Sequence, residues 1–537
     1  MRQTGHVDTF AEDHLPPIEQ MPEFLFDGLP VDYPQRLNAA GYFLDRHVEA
    51  GGGDDRCIVE AGGATWSYAQ LLDAANRIAR VLVDDLGLES GNRVLLRAPN
   101  CAMLAASWFA VLKAGGVAVT TMPLYRAGEL RFMIERAAIS HVLCDARLRV
   151  EIERACGGSA QIAYFNGERD NASLERRMAT KTNGFQNVRT AAQDVAIIAF
   201  TSGTTGTPKA AMHYHRDLLA ICDTYAARVL EPTSNDLFCG SPPLGFTFGL
   251  GGLLLFPLHA GAATVLLEKA GPKELLEAVT RFEVTTLFTA PIAYRAMAGA
   301  LEGSNLSSLR VCISAGEALP QAVWELWRAK TGIRILDGIG STEMLHIFIG
   351  SPRSDVRPGS TGRVVPGYVA QIHDDDGHPV PDGTIGRVAV KGPTGCKYLD
   401  DDRQRAYVQH GWNYPGDAYR KDADDYFWYV ARMDDIIVSA GYNIAGPEVE
   451  QALLAHGDVK EVAVIGKRDA EKETQLVKAF VVLIDGCAAT PEKAEELRDF
   501  CASRIAAFKA PREIEFVHEL PRTETGKVQR YKLRAGS

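Results

Sequence analysis

Nine consecutive residues, Thr201-Ser202-Gly203-Thr204-Thr205-Gly206-Thr207-Pro208-Lys209, offer two glycines, five hydroxyls and one ammonium group. Such a loop suits a polyphosphate. Glycine lets backbone N–H groups come close to phosphate oxygens, hydroxyls add donors, and Lys supplies a point charge. A solvated Ser/Thr linker needs neither the placed glycines nor Pro208-Lys209. The spacing is not that of a Walker A loop, which puts four residues between its first glycine and a Gly-Lys-[Ser/Thr] triplet.

A loop that binds charge must be held by rigid elements. This one follows the apolar run 196–200, which reads as a buried strand. It precedes Leu218, Leu219, Ile221, Cys222, Tyr225, Ala226, Val229 and Leu230, whose helical spacing presents a face to a sheet. Upstream, Val94-Leu95-Leu96 precedes a helix near 101–113 and a strand near 117–121. This alternation predicts parallel-sheet α/β layers. Segment 361–400, with Gly/Pro/Asp turns between runs such as Val388-Ala389-Val390, reads as a small β-rich subdomain. From about 435 a compact α/β module follows, with strands near 461–465, 477–484 and 513–517 and helices near 447–456 and 491–507. A boundary near Asp434 divides the chain into domains 1–433 and 434–537.

The chain has 537 residues, 46% hydrophobic and 23% charged, as expected of a folded globular protein. Its 57 Lys+Arg against 68 Asp+Glu give a net charge of −11, which disfavours nucleic acid and anionic lipid as partners. Ten cysteines without a C-x-x-C pair fit a reducing compartment. The first thirty residues carry six acids and four prolines, so no secretory leader is expected and the location reads as cytoplasmic. Residues 244–267 are uncharged and long enough to span a bilayer, but five glycines, Pro257 and His259 interrupt them and predict a buried helix, turn and strand.

The loop 201–209 resembles the signature of the adenylate-forming superfamily of acyl-CoA synthetases, adenylation domains and luciferase. Further segments resemble its later motifs in order: Ser314-Ala315-Gly316-Glu317-Ala318-Leu319-Pro320, Asp337-Gly338-Ile339-Gly340-Ser341-Thr342-Glu343, Tyr414-Pro415-Gly416-Asp417, Arg432-Met433-Asp434-Asp435 and Pro521-Arg522-Thr523-Glu524-Thr525-Gly526-Lys527. The resemblance implies a large N-terminal domain of two layered α/β subdomains plus the β-rich one, followed by a small mobile α/β C-terminal domain. It implies ATP, Mg²⁺ and coenzyme A as reactants and cofactor, and a two-step reaction. A carboxylate attacks the α-phosphate of ATP to give acyl-AMP and pyrophosphate, and a CoA thiol then attacks the acyl carbon.

By the same resemblance, Lys527 supplies the cation that lets two anions meet, and Glu343 holds Mg²⁺ with Thr342 beside the α-phosphate. Thr201, Ser202, Gly203, Thr204, Thr205, Gly206 and Lys209 take the phosphates. Ala315, Gly316, Glu317, Asp337, Gly338, Ile339 and Gly340 form the adenine slot and its continuation, and Asp417 with Arg432 takes the ribose. Asp434 is the hinge about which the C-terminal domain turns, exchanging Lys527 for the loop Ser439-Ala440-Gly441-Tyr442-Asn443, where Gly441 lets the pantetheine arm pass. The family often has Ser-Gly-Gly where this chain has Ser439-Ala440-Gly441.

The acyl pocket is expected from Phe246, Thr247, Phe248, Ala290, Gly338, Gly340 and His346, small or apolar positions that suit a flat aromatic acid. Residues 337–348 resemble benzoate-CoA ligases and Gly5-His6-Val7-Asp8-Thr9-Phe10 resembles 2-aminobenzoate members. Phe248 stands where benzoate ligases are expected to have Tyr. The preferred acid is therefore read as 2-aminobenzoate, with His346 or Thr247 near the ring edge. His346 as a packed histidine satisfied by backbone stays open, as do benzoate as substrate, an adenylating enzyme that loads a separate carrier protein, a nucleotide-binding regulator without turnover, and a homodimer.

Overall fold

The computed structural model describes residues 4–29, 33–167, 173–201, 208–439, 442–468, 475–522 and 528–535, and statements below concern these. Two large sheets dominate. The first runs Gln161–Phe165, Ile139–Asp145, Arg93–Arg97, Val117–Thr121, Val195–Thr201, Lys209–Tyr214 from edge to edge. Its pairings are parallel except the last, an antiparallel hairpin. The second runs Arg363–Val364, Ile347–Gly350, Ile335–Gly340, Val311–Ser314, Thr286–Thr289, Leu237–Gly240, Ala263–Leu266, Arg56–Glu60, Thr65–Ser67, parallel in the middle and antiparallel at both ends.

Strand alternation explains how these sheets layer. Successive side chains point to opposite faces, so Phe238, Phe288 and Ile313 join one apolar core while Leu237, Cys239, Leu287 and Cys312 join another. The first core also takes Val94, Leu96 and Ala196 from the other sheet. Between the two sheets lie the helix Ala102–Lys113 and the helical stretches His215–Ile221, Cys222–Leu230, Thr247–Leu250, Gly251–Leu255 and Phe256–His259. Every residue of Ala102–Lys113 is buried, and Lys113 is accommodated because its ammonium reaches both oxygens of Asp45 at 2.6 Å.

This central layer corrects one expectation. The helix after the loop is not apolar on a single face: His215, Asp217, Asp223 and Thr224 are buried along with the periodic residues. It is enclosed on both sides, so its polar residues must find partners rather than solvent. The same layer accounts for residues 244–267, where consecutive short helices and the strand Ala263–Leu266 are buried. No helix among the described residues is long and apolar enough to cross a membrane.

The β-rich subdomain extends beyond the expected 361–400. Val369–His373, Ile385–Lys391, Val408–Gln409, Trp412–Asn413, Asp417–Lys421 and Phe427–Arg432 form one antiparallel sheet. Arg363–Val364 belongs instead to the second large sheet. After Arg432 come the short 3₁₀ turn Met433–Asp435, the paired strands Ile436–Ser439 and Tyr442–Ala445, and a sheet of Val459–Arg468, Gln475–Leu483 and Glu513–Phe516. The helices Gly446–Leu454 and Pro491–Arg504 share a core with that sheet. This part touches the larger one where Arg295 Nη1 donates to the Lys460 carbonyl at 2.9 Å and Arg522 Nη1 lies 3.7 Å from Glu317 Oε1.

Candidate active site

Four parallel strands deliver the expected adenine and acid residues to a single sheet edge. Phe246 to Phe248 follow Leu237–Gly240, Ala290 follows Thr286–Thr289, Ala315 to Glu317 follow Val311–Ser314, and Gly338 to Gly340 end Ile335–Gly340. Ligands of open α/β sheets gather at such carboxyl-terminal strand ends. Asn100 fixes the first of these loops, accepting from Leu244 N at 2.8 Å and donating to the Pro242 carbonyl at 3.1 Å. Gly340 is required locally, since a Cβ there would lie 2.7 Å from the His346 carbonyl oxygen.

The other large sheet supplies the phosphate loop. Thr201 and Lys209 face each other as register partners at the mouth of the hairpin. Ser202, Gly203, Thr204, Thr205 and Gly206 lie outside the described residues. Lys209 turns inward: its ammonium donates to the Tyr398 hydroxyl at 2.7 Å, stands 3.2 Å from Glu343 Oε1, and lies over the rings of Tyr398 and Tyr407 at 4.9 and 5.8 Å. Tyr398 in turn donates to Glu343 Oε1. Burial pushes the Glu343 carboxyl up, but the Lys209 charge and the Tyr398 hydroxyl outweigh it and hold the group below its ordinary value of 4.5. Glu343 is thus an ionised carboxylate at neutral pH, and its hard oxygens fit a magnesium ion.

The turn that carries Glu343 is pinned from three sides. His213 Nε2–H donates to the Thr342 carbonyl at 2.7 Å, Ser341 Oγ pairs with the Tyr407 hydroxyl at 2.9 Å, and Met344 N donates to Ser341 Oγ at 3.1 Å. Leu345 sits in the left-handed region at φ 69°, a cost that the surrounding contacts must hold in place.

Asp417 and Arg432 are register partners on adjacent strands, with Arg432 Nη1 donating to Asp417 Oδ2 at 3.1 Å and to the Pro415 carbonyl at 2.9 Å. Tyr407 is within electrostatic reach of both Glu343 and Asp417, and Tyr419 of both Asp417 and Asp337, so the three acids share one locus. Burial pushes the Asp337 carboxyl up to about 8, and its Oδ1 has no hydrogen-bond partner among the described residues.

His346 occupies an aromatic box. Its ring centroid is 4.5 Å from Phe256, 5.5 Å from Tyr225, 5.7 Å from Phe248 and 6.5 Å from Phe288. It is 2% exposed, and neither ring nitrogen makes a well-formed hydrogen bond to any described residue. Burial lowers its pKa to about 3, with the Phe248 carbonyl opposing the shift, so the imidazole is neutral. Thr247 is buried, while its sequence neighbours Phe246 and Phe248 are half-buried.

The structure brings Lys209 to 3.2 Å from Glu343, with Thr342 on the same turn, gathers the positions expected for the adenine slot and acid pocket at one sheet edge, and pairs Asp417 with Arg432. Lys527, Gly441 and the Asp434 side chain lie outside the described residues. Sequence reasoning missed Tyr398, Tyr407, His213, Asp217 and Lys397, the last two joined by a fully buried ion pair of 2.9 Å. No local spacing announces them. The one available signal was the Tyr and Lys within the short run Cys396-Lys397-Tyr398.

Comparison with known proteins bears directly on this arrangement. Residues 44–397 match the AMP-binding enzyme family and residues 448–527 match the AMP-binding enzyme C-terminal domain. The benzoate–CoA ligase of Thauera aromatica is 33% identical over 515 residues, 94% of this chain and 97% of that one. Among solved structures, the anthranilate CoA ligase AuaEII in complex with anthranoyl-AMP is similar with a TM-score of 0.88 at 33% identity, covering 94% of this chain and 98% of its own. A benzoate CoA ligase from Burkholderia xenovorans LB400 gives a TM-score of 0.84 at 31% identity, covering 93% and 100%.

Proposed function

We propose, from the premise that this chain belongs to the AMP-binding enzyme family and is an AMP-forming acid–thiol ligase, that it activates an aromatic carboxylate, with 2-aminobenzoate preferred. The observation that carries the preference is His346, a buried neutral imidazole inside a box of aromatic rings, with neither nitrogen in a well-formed hydrogen bond to any described residue. A ring amine at the 2-position donates an N–H that the unprotonated nitrogen accepts, whereas benzoate leaves that nitrogen unsatisfied. A buried polar group built to meet a donor discriminates against a ligand lacking it. Likeness to an anthranilate CoA ligase supports the same choice.

In the first step the acid's carboxylate oxygen attacks the α-phosphorus of ATP, the bond to the β-phosphate bridge breaks, and pyrophosphate leaves. The loop 201–209 and Lys209 hold the phosphates, and Lys527 offsets the repulsion between the two anions. Glu343 and the Thr342 turn would hold Mg²⁺, which when bound neutralises phosphate charge. Asp417 with Arg432 takes the ribose hydroxyls, and the backbones of Ala315 to Glu317 and Asp337 to Ile339 flank the adenine. In the second step the CoA sulfur attacks the acyl carbon, the bond to AMP breaks, and the thiol proton leaves. The two parts of the chain are proposed to divide at Asp434, with rotation there replacing Lys527 by the Gly441 loop.

Thioester formation compared across 2-aminobenzoate, benzoate and the hydroxybenzoates tests the substrate. The expected kcat/KM for 2-aminobenzoate exceeds that for benzoate by about tenfold or more, the effect of one buried hydrogen bond. Equal turnover, or benzoate preferred tenfold, would remove the 2-amino reading.

A further inference from the structure

Tyr398 belongs to none of the motifs that carried the sequence reading, yet it stands between the two charged groups of the phosphate end. Residues 395–399 lie along the strand Lys209–Tyr214: Met212 N donates to the Lys397 carbonyl at 2.7 Å and Leu399 N to the Ala210 carbonyl at 2.9 Å, with Ala211 bridging Tyr398. Extended backbone sends neighbouring side chains opposite ways. Lys397 goes to the buried Asp217 at 2.9 Å and to the Gly395 carbonyl at 3.0 Å, while Tyr398 goes to Glu343 and Lys209. Tyr398 is 1% exposed, its backbone N–H is held by Gln404 Oε1 at 2.9 Å, and its ring meets Tyr407 edge-on at 5.8 Å. It has no freedom to swing away.

A tyrosine hydroxyl has one proton to give and lone pairs to receive. Here the proton goes to Glu343 Oε1 and a lone pair takes the Lys209 ammonium, so the hydroxyl is spliced into an ion pair. We propose that Tyr398 is a positioning residue: by donating to the same Glu343 oxygen that faces Lys209 and accepting from the ammonium, it weakens the hold of Lys209 on that oxygen and keeps the carboxylate oriented for the metal. This rests on the reading that Glu343 and Lys209 face metal and nucleotide.

The test is ATP binding by calorimetry to the full chain, first in EDTA and then as a function of Mg²⁺ concentration. In Tyr398→Phe nothing shares the Glu343 oxygen with Lys209, and the ion pair tightens. The Mg²⁺ concentration at half-maximal enhancement of ATP binding is expected to rise about tenfold, the worth of one hydrogen bond to a charged group, while affinity in EDTA stays within about twofold. In a Glu343→Gln background Tyr398→Phe should change neither quantity further, because the partner through which it acts is gone. An unmoved Mg²⁺ midpoint, or equal losses with and without metal, overturns the inference. If Tyr398→Phe fails to fold, Lys209→Met decides: removing the competing cation should lower the midpoint, and a midpoint unchanged or raised overturns the inference. Failure of the unaltered chain to bind ATP at all would instead overturn the nucleotide-site reading beneath it.

Discussion

Glu343→Gln is expected to slow aryl-AMP formation by about a hundred- to a thousandfold, about 3–4 kcal/mol, the usual cost of losing one aimed charge at a site where charge develops. The substitution preserves shape, so the helices and strands around the 341–345 turn keep their contacts with His213, Tyr407 and Ser341. What disappears is the negative charge that Lys209 and Tyr398 now face. A neutral amide is a poor ligand for a hard divalent cation, so raising Mg²⁺ should not restore the rate. Acid-dependent pyrophosphate release, measured beside a thermal unfolding curve, checks both halves: a slow but folded variant is expected, and a variant with normal rate would remove Glu343 from the metal site. The carboxyl's pKa is held below 4.5. The midpoint of any loss of activity through its protonation should therefore lie on the acid side of that value.

The second large effect separates the two half-reactions. Lys527→Ala is expected to suppress adenylate formation by a comparable hundred- to thousandfold while sparing thioester formation from supplied aryl-AMP. Gly441→Trp should do the reverse if, as proposed, Gly441 leaves the pantetheine arm a path that an indole would fill. Single-turnover assays of each half-reaction read this out. Equal damage to both steps by either variant would contradict a division of labour across Asp434. The described part of the C-terminal domain carries a link relevant to this motion. Arg530, which follows Val528-Gln529, pairs with Glu450 at 2.8 Å and approaches Asp435 at 3.8 Å, tying the C-terminal helix to the turn at the proposed hinge.

Strands such as 117–121 and 196–200 and their parallel layering were legible, because such apolar runs can bury both faces only inside a covered parallel sheet, whereas strand order was not read. Helix ends were less so: the run expected to 507 stops at Arg504, where Ile505 turns extended. The central layer was not legible from periodicity, since a helix enclosed on two sides carries buried Asp217 and Thr224 where one exposed face would be expected. For the site, residues grouped in contiguous motifs were legible by resemblance. The residues supporting them were not, because Tyr398, His213 and Lys397 act across contacts that join segments more than a hundred positions apart. His346 shows the middle case. Its place in the motif could be read, but its lack of a well-formed hydrogen bond to any described residue needed the packed rings around it.

The most direct test of the whole account follows two products in one time course. The protein is mixed with ATP, Mg²⁺, CoA and 2-aminobenzoate, and pyrophosphate and 2-aminobenzoyl-CoA are quantified together, with the acid omitted in a parallel reaction. Equal amounts of both products, neither formed without the acid, are expected of an aryl-CoA ligase. Pyrophosphate without thioester would point to a carrier-protein acceptor, and ATP binding without pyrophosphate to a regulator; either would contradict the account.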